Sequence, residues 1–100
     1  MAEQKIQSKI LNLMKERGAY CVKVMAANRN GVPDIIACYK GQFVAIEVKD
    51  KYGRPTELQQ ANIRQIRTAQ GYAIVAWSTD EVEHLLGEID ETLQASDNSC

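Results

Sequence analysis

The sequence predicts a single α/β domain in which helices cover a mixed β-sheet, with the element order αβββαβα. Three observations predict it. Amphipathic or capped helical segments alternate with short segments rich in β-branched and aromatic residues. The 100 residues suffice for one hydrophobic core but not for two. No apolar run approaches the roughly 18 residues that span a membrane. We expect residues 1–94 to form the domain and residues 95–100 to be a disordered tail.

The first half of the chain predicts one helix and three strands. The segment EQKIQSKILNLMKERG has apolar residues at helical spacing and stops at Gly18, which predicts an amphipathic helix. AYCVKVM predicts the first strand. VPDIIACY and QFVAIEVK predict two further strands around a tight turn at Lys40-Gly41.

The second half predicts two helices around one strand. Thr56-x-x-Gln59 has the form of a capping box and opens a helix to about Gln70. YAIVAW is apolar throughout, which is typical of a strand covered on both faces. Ser78-x-x-Glu81 is a second capping box and opens the last amphipathic helix.

Charge is distributed unevenly along the chain. All twelve Lys and Arg residues lie between Lys5 and Arg67, where only six acids accompany them, which gives +6. From Thr68 onward there are seven acids and no Lys or Arg, which gives −7. This separation indicates one face for a polyanion and another turned away from it, although chance segregation in a short chain explains it equally well.

The cysteines Cys21, Cys38 and Cys100 are odd in number and widely spaced, so neither a zinc site nor a disulfide framework is indicated. The charged N-terminus does not resemble a secretory signal. We therefore expect a cytoplasmic protein with reduced thiols and no membrane association.

Three charged residues, Asp34, Glu47 and Lys49, interrupt the two strands around Lys40-Gly41. If the turn has two residues, paired positions sum to 81, so Asp34 faces Glu47 with Cβ atoms about 4.5–5.5 Å apart. Strand alternation places Lys49 on the same side. Two carboxylates this close repel unless one is protonated or a cation lies between them, and Mg²⁺ or Mn²⁺ suits oxygen ligands.

Two helical polar residues lie at the ends of apolar stripes. Glu3 precedes Ile6 by three residues, and Gln59 precedes Ile63 by four, so both side chains are predicted to face the sheet. The alternative is structural: the three strand charges form a partly buried ion-pair cluster, and Gln59 only caps its helix.

These residues resemble a known family. Gly31-x-Pro33-Asp34 followed by Glu47-x-Lys49 resembles the PD-(D/E)XK nuclease core. With Gly53 and Thr56-x-x-Gln59, the chain is similar to the VRR-NUC (virus-type replication-repair nuclease) family, in its short standalone phage or prophage form. That family belongs with archaeal Holliday junction resolvases and many restriction endonucleases, so the resemblance implies a restriction-endonuclease-like core.

The resemblance also implies residue roles. Asp34, Glu47 and the backbone carbonyl of Val48 would hold the catalytic Mg²⁺ or Mn²⁺, with Glu3 completing the acidic site. Lys49 would orient or activate the attacking water, and Gln59 would assist it. Basic side chains would contact DNA phosphates, with a solvated surface charge as the alternative for each. The candidates are Lys5, Lys9, Arg29, Lys51, Arg54, Arg64 and Arg67.

We therefore expect a metal-dependent, structure-selective DNA endonuclease that cuts four-way (Holliday) junctions as a homodimer, inside a bacterial or phage-infected cell. The symmetric substrate needs two cuts, which favours a twofold dimer. Three alternatives stay open: a nickase or flap endonuclease acting on other branched DNA, a non-catalytic DNA-binding module, and a sequence-specific subunit of a restriction system.

Overall fold

A computed structural model describes residues 2–97 of the chain. Within this range three helices and four strands follow one another in the predicted order αβββαβα, which confirms the predicted fold class. The helices are α1 (Glu3–Glu16), α2 (Glu57–Thr68) and α3 (Thr79–Asp97). The strands are β1 (Tyr20–Lys23), β2 (Ile35–Tyr39), β3 (Gln42–Val48) and β4 (Tyr72–Ala76).

The β2–β3 hairpin has the predicted two-residue turn. Lys40 and Gly41 both have positive φ, 51° and 81°, as a type I′ turn requires, and glycine adopts this conformation at no steric cost. The pairs run from Tyr39–Gln42 to Ile35–Ile46, so paired positions sum to 81 as predicted.

The strands form one mixed sheet in the order β1-β2-β3-β4, in which only β3 and β4 are parallel. A parallel pair needs a crossover, and α2 provides it. One face of the sheet packs on α2 through Ala45 and Ile63. The other packs on α1 and α3, where Ile46 and Leu86 share a larger core. Since Ala45 and Ile46 face opposite sides, Glu47 lies on the α2 face with Ala45.

Both predicted capping boxes are present, with one difference. In α2, Gln59 N donates to Thr56 Oγ1 (3.1 Å) and Thr56 N donates to Gln59 Oε1 (2.9 Å). In α3, Ser78 N donates to Glu81 Oε1 (2.9 Å), but the Ser78 hydroxyl accepts from Asp80 N instead of Glu81 N. Each pair satisfies backbone N–H groups that a helix start leaves without partners.

The predicted tail boundary is wrong for residues 95–97, because α3 continues through Asp97. Gln94 and Ala95 are good helix formers, and neither glycine nor proline interrupts the segment. Residues 98–100, the rest of the predicted tail, lie outside the described residues, as does Cys100. Cys21 and Cys38 are free thiols. None of the helices in residues 2–97 combines the length and apolar character needed to cross a membrane.

Candidate active site

The charges singled out in the sequence lie together at the open end of the β2–β3 hairpin, opposite the Lys40-Gly41 turn. Asp34 immediately precedes β2, and Lys49 immediately follows β3. Both were predicted to lie inside strands, so the strands are shorter than the apolar runs suggest. Continuing the observed register by one residue places Asp34 opposite Glu47.

Asp34 is fixed through its backbone and its side chain. Its carbonyl accepts a hydrogen bond from Val24 N (2.7 Å), and its Oδ2 accepts one from Val48 N (2.8 Å). Pro33 comes next in the register opposite Val48, and proline has no N–H with which to extend the ladder. The Asp34 carboxylate therefore terminates the strand pair and is held beside Glu47.

Glu47 is a buried carboxylate with incomplete hydrogen bonding. It is 1% exposed. Its Oε2 lies 3.4 Å from Lys49 Nζ, while Oε1 has no hydrogen-bond partner among residues 2–97. Burial, followed by the charge and hydrogen bonding of Asp34, raises the pKa of Glu47, and Lys49 lowers it; together they bring it to about 7. A carboxylate in this state gains from a cation more than a solvated one does.

The residues fit a divalent cation. Two neighbouring carboxylates, one with an unpartnered buried oxygen, are hard ligands for Mg²⁺ or Mn²⁺. The described part of the chain contains no group of three His, Cys, Asp or Glu side chains that could hold a metal. Two carboxylates are nevertheless enough, since Mg²⁺ usually keeps several waters and binds through one or two carboxylates plus substrate phosphates.

The structure does not bring Glu3 into a three-carboxylate group with Asp34 and Glu47. Glu3 is the first residue of α1 and is partly buried. One turn later on the same helix face lies Gln7, which sequence analysis missed. Gln7 is 7% exposed, and its Oε1 has no hydrogen-bond partner among the described residues. Its spacing, four after Glu3 and three before Ile10, was the available signal.

Gln59 occupies the position that the structural alternative predicts. Its Oε1 is engaged by Thr56 N in the capping box, and its side chain is only partly buried. A catalytic role for Gln59 stays a prediction.

The seven candidate DNA-binding residues are all exposed, but they differ in how firmly they are held. Arg29 Nη2 donates to Gln65 Oε1 (2.8 Å), and Arg67 Nε donates to the Ala73 carbonyl (2.9 Å). Arg54 lies 5.9 Å from the ring centroid of Trp77. Lys9 and Lys51 line one cavity beside Trp77, and Arg64 and Arg67 line another beside Val75.

Comparison with known proteins places the chain among nucleases. Residues 4–99 match the family model described as archaeal Holliday junction resolvase (hjc). One similar solved structure is a VRR_NUC domain, with a TM-score of 0.74 and 23% identity, covering 85% of this chain and 94% of that chain. Another is a VRR_NUC domain protein, with a TM-score of 0.69 and 20% identity, covering 87% of this chain and 86% of that chain. A third is Archaeoglobus fulgidus Hjc, a Holliday junction resolvase from an archaeal hyperthermophile. It has a TM-score of 0.52 and 25% identity, covering 73% of this chain and 65% of that chain. Comparison with curated proteins finds no match. These similarities confirm the resemblance to VRR-NUC nucleases and the restriction-endonuclease-like fold.

Proposed function

Because this chain belongs to the archaeal Holliday junction resolvase family, a family of structure-selective DNA nucleases, we propose that it hydrolyses phosphodiester bonds in branched DNA. Four-way junctions are the leading substrate, and flaps and forks are the nearest alternatives. The observation that carries the proposal is the buried Glu47 carboxylate, which lies beside Asp34 with one oxygen unpartnered among the described residues.

Each residue of the candidate site is proposed to have a separate role in hydrolysis. Asp34, Glu47 and the Val48 carbonyl would hold Mg²⁺ or Mn²⁺. When bound, the metal would neutralise phosphate charge and lower the pKa of a water. Asp34 would contribute its other carboxylate oxygen, since Oδ2 already accepts a hydrogen bond from Val48 N. Lys49 lies 3.4 Å from Glu47, close enough to contact the same phosphate and orient the attacking water. Glu3 and Gln59 are proposed to support this site from α1 and α2.

We further propose that the protein acts as a homodimer. One 100-residue chain supplies one such site, whereas resolving a four-way junction requires two symmetric cuts. The exposed basic residues listed above would bind the phosphates of the junction arms, and such binding weakens as the salt concentration rises.

The test uses an end-labelled four-way junction and a linear duplex of matched sequence. Each is incubated with Mg²⁺, Mn²⁺ or chelator and with the wild type or Asp34→Asn. Glu83→Gln is the matched control, because it removes an exposed carboxylate of α3 that pairs with Arg17 at the end of α1 (3.4 Å) and not with the candidate site. We expect paired, metal-dependent cuts near the junction centre by the wild type and Glu83→Gln, and none by Asp34→Asn.

Each other outcome points elsewhere. Cleavage of flaps or forks in preference to junctions would keep the nuclease and change its substrate. Binding of the junction without cleavage in either metal would favour the non-catalytic DNA-binding module. Cuts that follow a base sequence across unrelated junctions would favour a restriction activity. Folded wild-type protein that neither binds nor cuts DNA would overturn the proposal.

A further inference from the structure

The loop after β3 presents an aromatic side chain to solvent beside the candidate active site. Tyr52 is 83% exposed and follows Lys49 by three residues. A tyrosine ring gains free energy when its apolar surface is covered, and it makes a well-shaped stacking surface. Neither the sheet nor the helices cover this ring.

The backbone that carries Tyr52 is held by hydrogen bonds. Tyr52 N donates to Asp50 Oδ1 (2.9 Å), and Gly53 N donates to the Asp50 carbonyl (3.0 Å). From the end of β4, the Trp77 indole Nε1 donates to the Gly53 carbonyl (2.9 Å). The loop is thus anchored on both sides of Tyr52 although it has no regular secondary structure.

This loop lies against the proposed catalytic lysine. A Cβ placed on Gly53 would lie 3.3 Å from Lys49 Cδ and 3.4 Å from Lys49 Cβ. The absence of a side chain at Gly53 therefore lets the backbone lie close to the stem of Lys49. Tyr52 is covalently adjacent to this contact, so its backbone is held close to the side chain proposed to contact the scissile phosphate.

Two cations flank Tyr52 in the chain. Lys51 Nζ lies 4.9 Å from the Tyr52 ring centroid. Arg54, two residues after Tyr52, has its guanidinium over the Trp77 ring. Sites that bind single-stranded nucleic acid combine cations, which contact the phosphates, with aromatic rings, on which the bases stack.

We propose that Tyr52 stacks on a nucleobase whose face is open at the branch point, and that this contact sets the preference for branched over continuous DNA. The inference rests on the proposed function. In a continuous duplex both faces of each base are covered by neighbouring base pairs. At a branch the stack is interrupted, and a base face becomes available to an exposed ring. Tyr52 therefore adds affinity for the branched substrate alone.

The test compares Tyr52→Ala, Tyr52→Phe and Tyr20→Ala with the wild type. Tyr20 is the matched control because it is 74% exposed but begins β1, at the turn end of the sheet. Binding is measured in chelator with a junction carrying 2-aminopurine at the branch, and with a linear duplex. Cleavage of both is then measured with Mg²⁺.

We expect Tyr52→Ala to lower junction affinity about tenfold and to change duplex affinity by less than about twofold. It should also abolish the change in 2-aminopurine fluorescence that the wild type causes on binding the junction. Tyr52→Phe keeps the ring and should behave like the wild type, as should Tyr20→Ala.

The outcomes separate this inference from the proposed function. If Tyr52→Ala retains wild-type selectivity for a junction that the wild type cuts, the stacking role is overturned and the nuclease stands. Equal weakening on junction and duplex would also overturn it, because Tyr52 would then be a general DNA contact. If the wild type neither binds nor cuts DNA, both fail.

Discussion

At the turn end of the β2–β3 hairpin, Lys40 Nζ lies 2.7 Å from Asp90 Oδ1, and the Tyr39 hydroxyl donates to the same oxygen at 2.8 Å. At the open end of the same hairpin, Lys49 Nζ lies 3.4 Å from Glu47 Oε2, and the other carboxylate oxygen has no partner among residues 2–97. Both ends of the hairpin therefore pair a lysine with an acid. The first pair is partly exposed and its acid accepts two hydrogen bonds, whereas the second is buried and lies beside another acid.

The pKa values of Asp90 and Glu47 are shifted in opposite directions. Hydrogen bonds from Lys40 and Tyr39 lower the pKa of Asp90, and the hydrogen bond to Asp90 raises the pKa of Lys40. Burial and then Asp34 raise the pKa of Glu47 to about 7, despite Lys49. The turn end thus stabilises the charged forms of its pair, whereas the open end disfavours the charged form of Glu47. A buried carboxylate with a strongly raised pKa is more typical of a functional site than a well-paired surface carboxylate is.

The largest effect expected from this contrast is on cleavage. Lys49→Met removes the ammonium group at the open end and should lower the single-turnover rate on junction DNA by about 10²- to 10⁴-fold. Lys40→Met removes the ammonium group at the turn end and should leave that rate within about twofold. Equal rates for the two variants would mean that the open end has no greater part in catalysis than the turn end.

The next effect is on the stability of the metal-free protein. The pKa of Glu47 is raised in the folded state, so folding binds a proton between pH 4.5 and about 7. The contribution of Glu47 to the free energy of unfolding should therefore be greatest below pH 4.5, fall as the pH rises to about 7, and level off above it. Glu47→Gln removes this pH-dependent loss. It should stabilise the metal-free protein at pH 8 by up to about 3 kcal/mol, and it should abolish cleavage.

Asp90→Asn should change the pH dependence of stability in the opposite direction to Glu47→Gln. Its folded-state pKa is lowered, so its contribution to stability is present at pH 8 and is lost as the pH falls below its ordinary value. Urea unfolding in chelator at pH 3, pH 5 and pH 8 covers the titration windows of both groups. A lower stability of Glu47→Gln than of the wild type at pH 8 would contradict the assignment of Glu47 as a destabilising buried carboxylate.

A smaller effect follows when the metal is added. At ten times its dissociation constant, Mg²⁺ or Mn²⁺ should stabilise the wild type by about 1.4 kcal/mol at pH 8. The increase should be smaller at pH 5, where Glu47 holds its proton, and absent in Glu47→Gln. Asp90→Asn should respond like the wild type. A melting-temperature increase that is equal in all three proteins would place metal binding elsewhere.

The sequence predicted the hairpin well because its determinants are local. Lys40-Gly41 adopts the turn, and the two-residue period of the strands then places Asp34 opposite Glu47. It did not predict that Asp34 lies outside β2, because the bond from Val48 N to its side chain depends on how the ladder ends beside Pro33.

Features set by tertiary contacts were less predictable. Helical spacing gave the face of α1 on which Glu3 lies, but not its distance from the sheet. The loop around Tyr52 depends on the Trp77–Gly53 hydrogen bond, which joins residues 24 positions apart.

The smallest expected effect is on thermal stability, from a substitution at the turn end of the hairpin. Tyr39→Phe removes one hydroxyl that donates to Asp90, from a side chain that is otherwise 3% exposed. Loss of one such hydrogen bond should lower the melting temperature by about 4–8 °C. Lys40 should still pair with Asp90, and junction cleavage should keep its wild-type rate, because the change lies at the turn end of the hairpin and Glu47 lies at the open end. Thermal unfolding and cleavage measured on the same preparation test both statements. A cleavage defect in folded Tyr39→Phe would mean that the two ends of the hairpin are coupled and that the turn-end pair is more than structural.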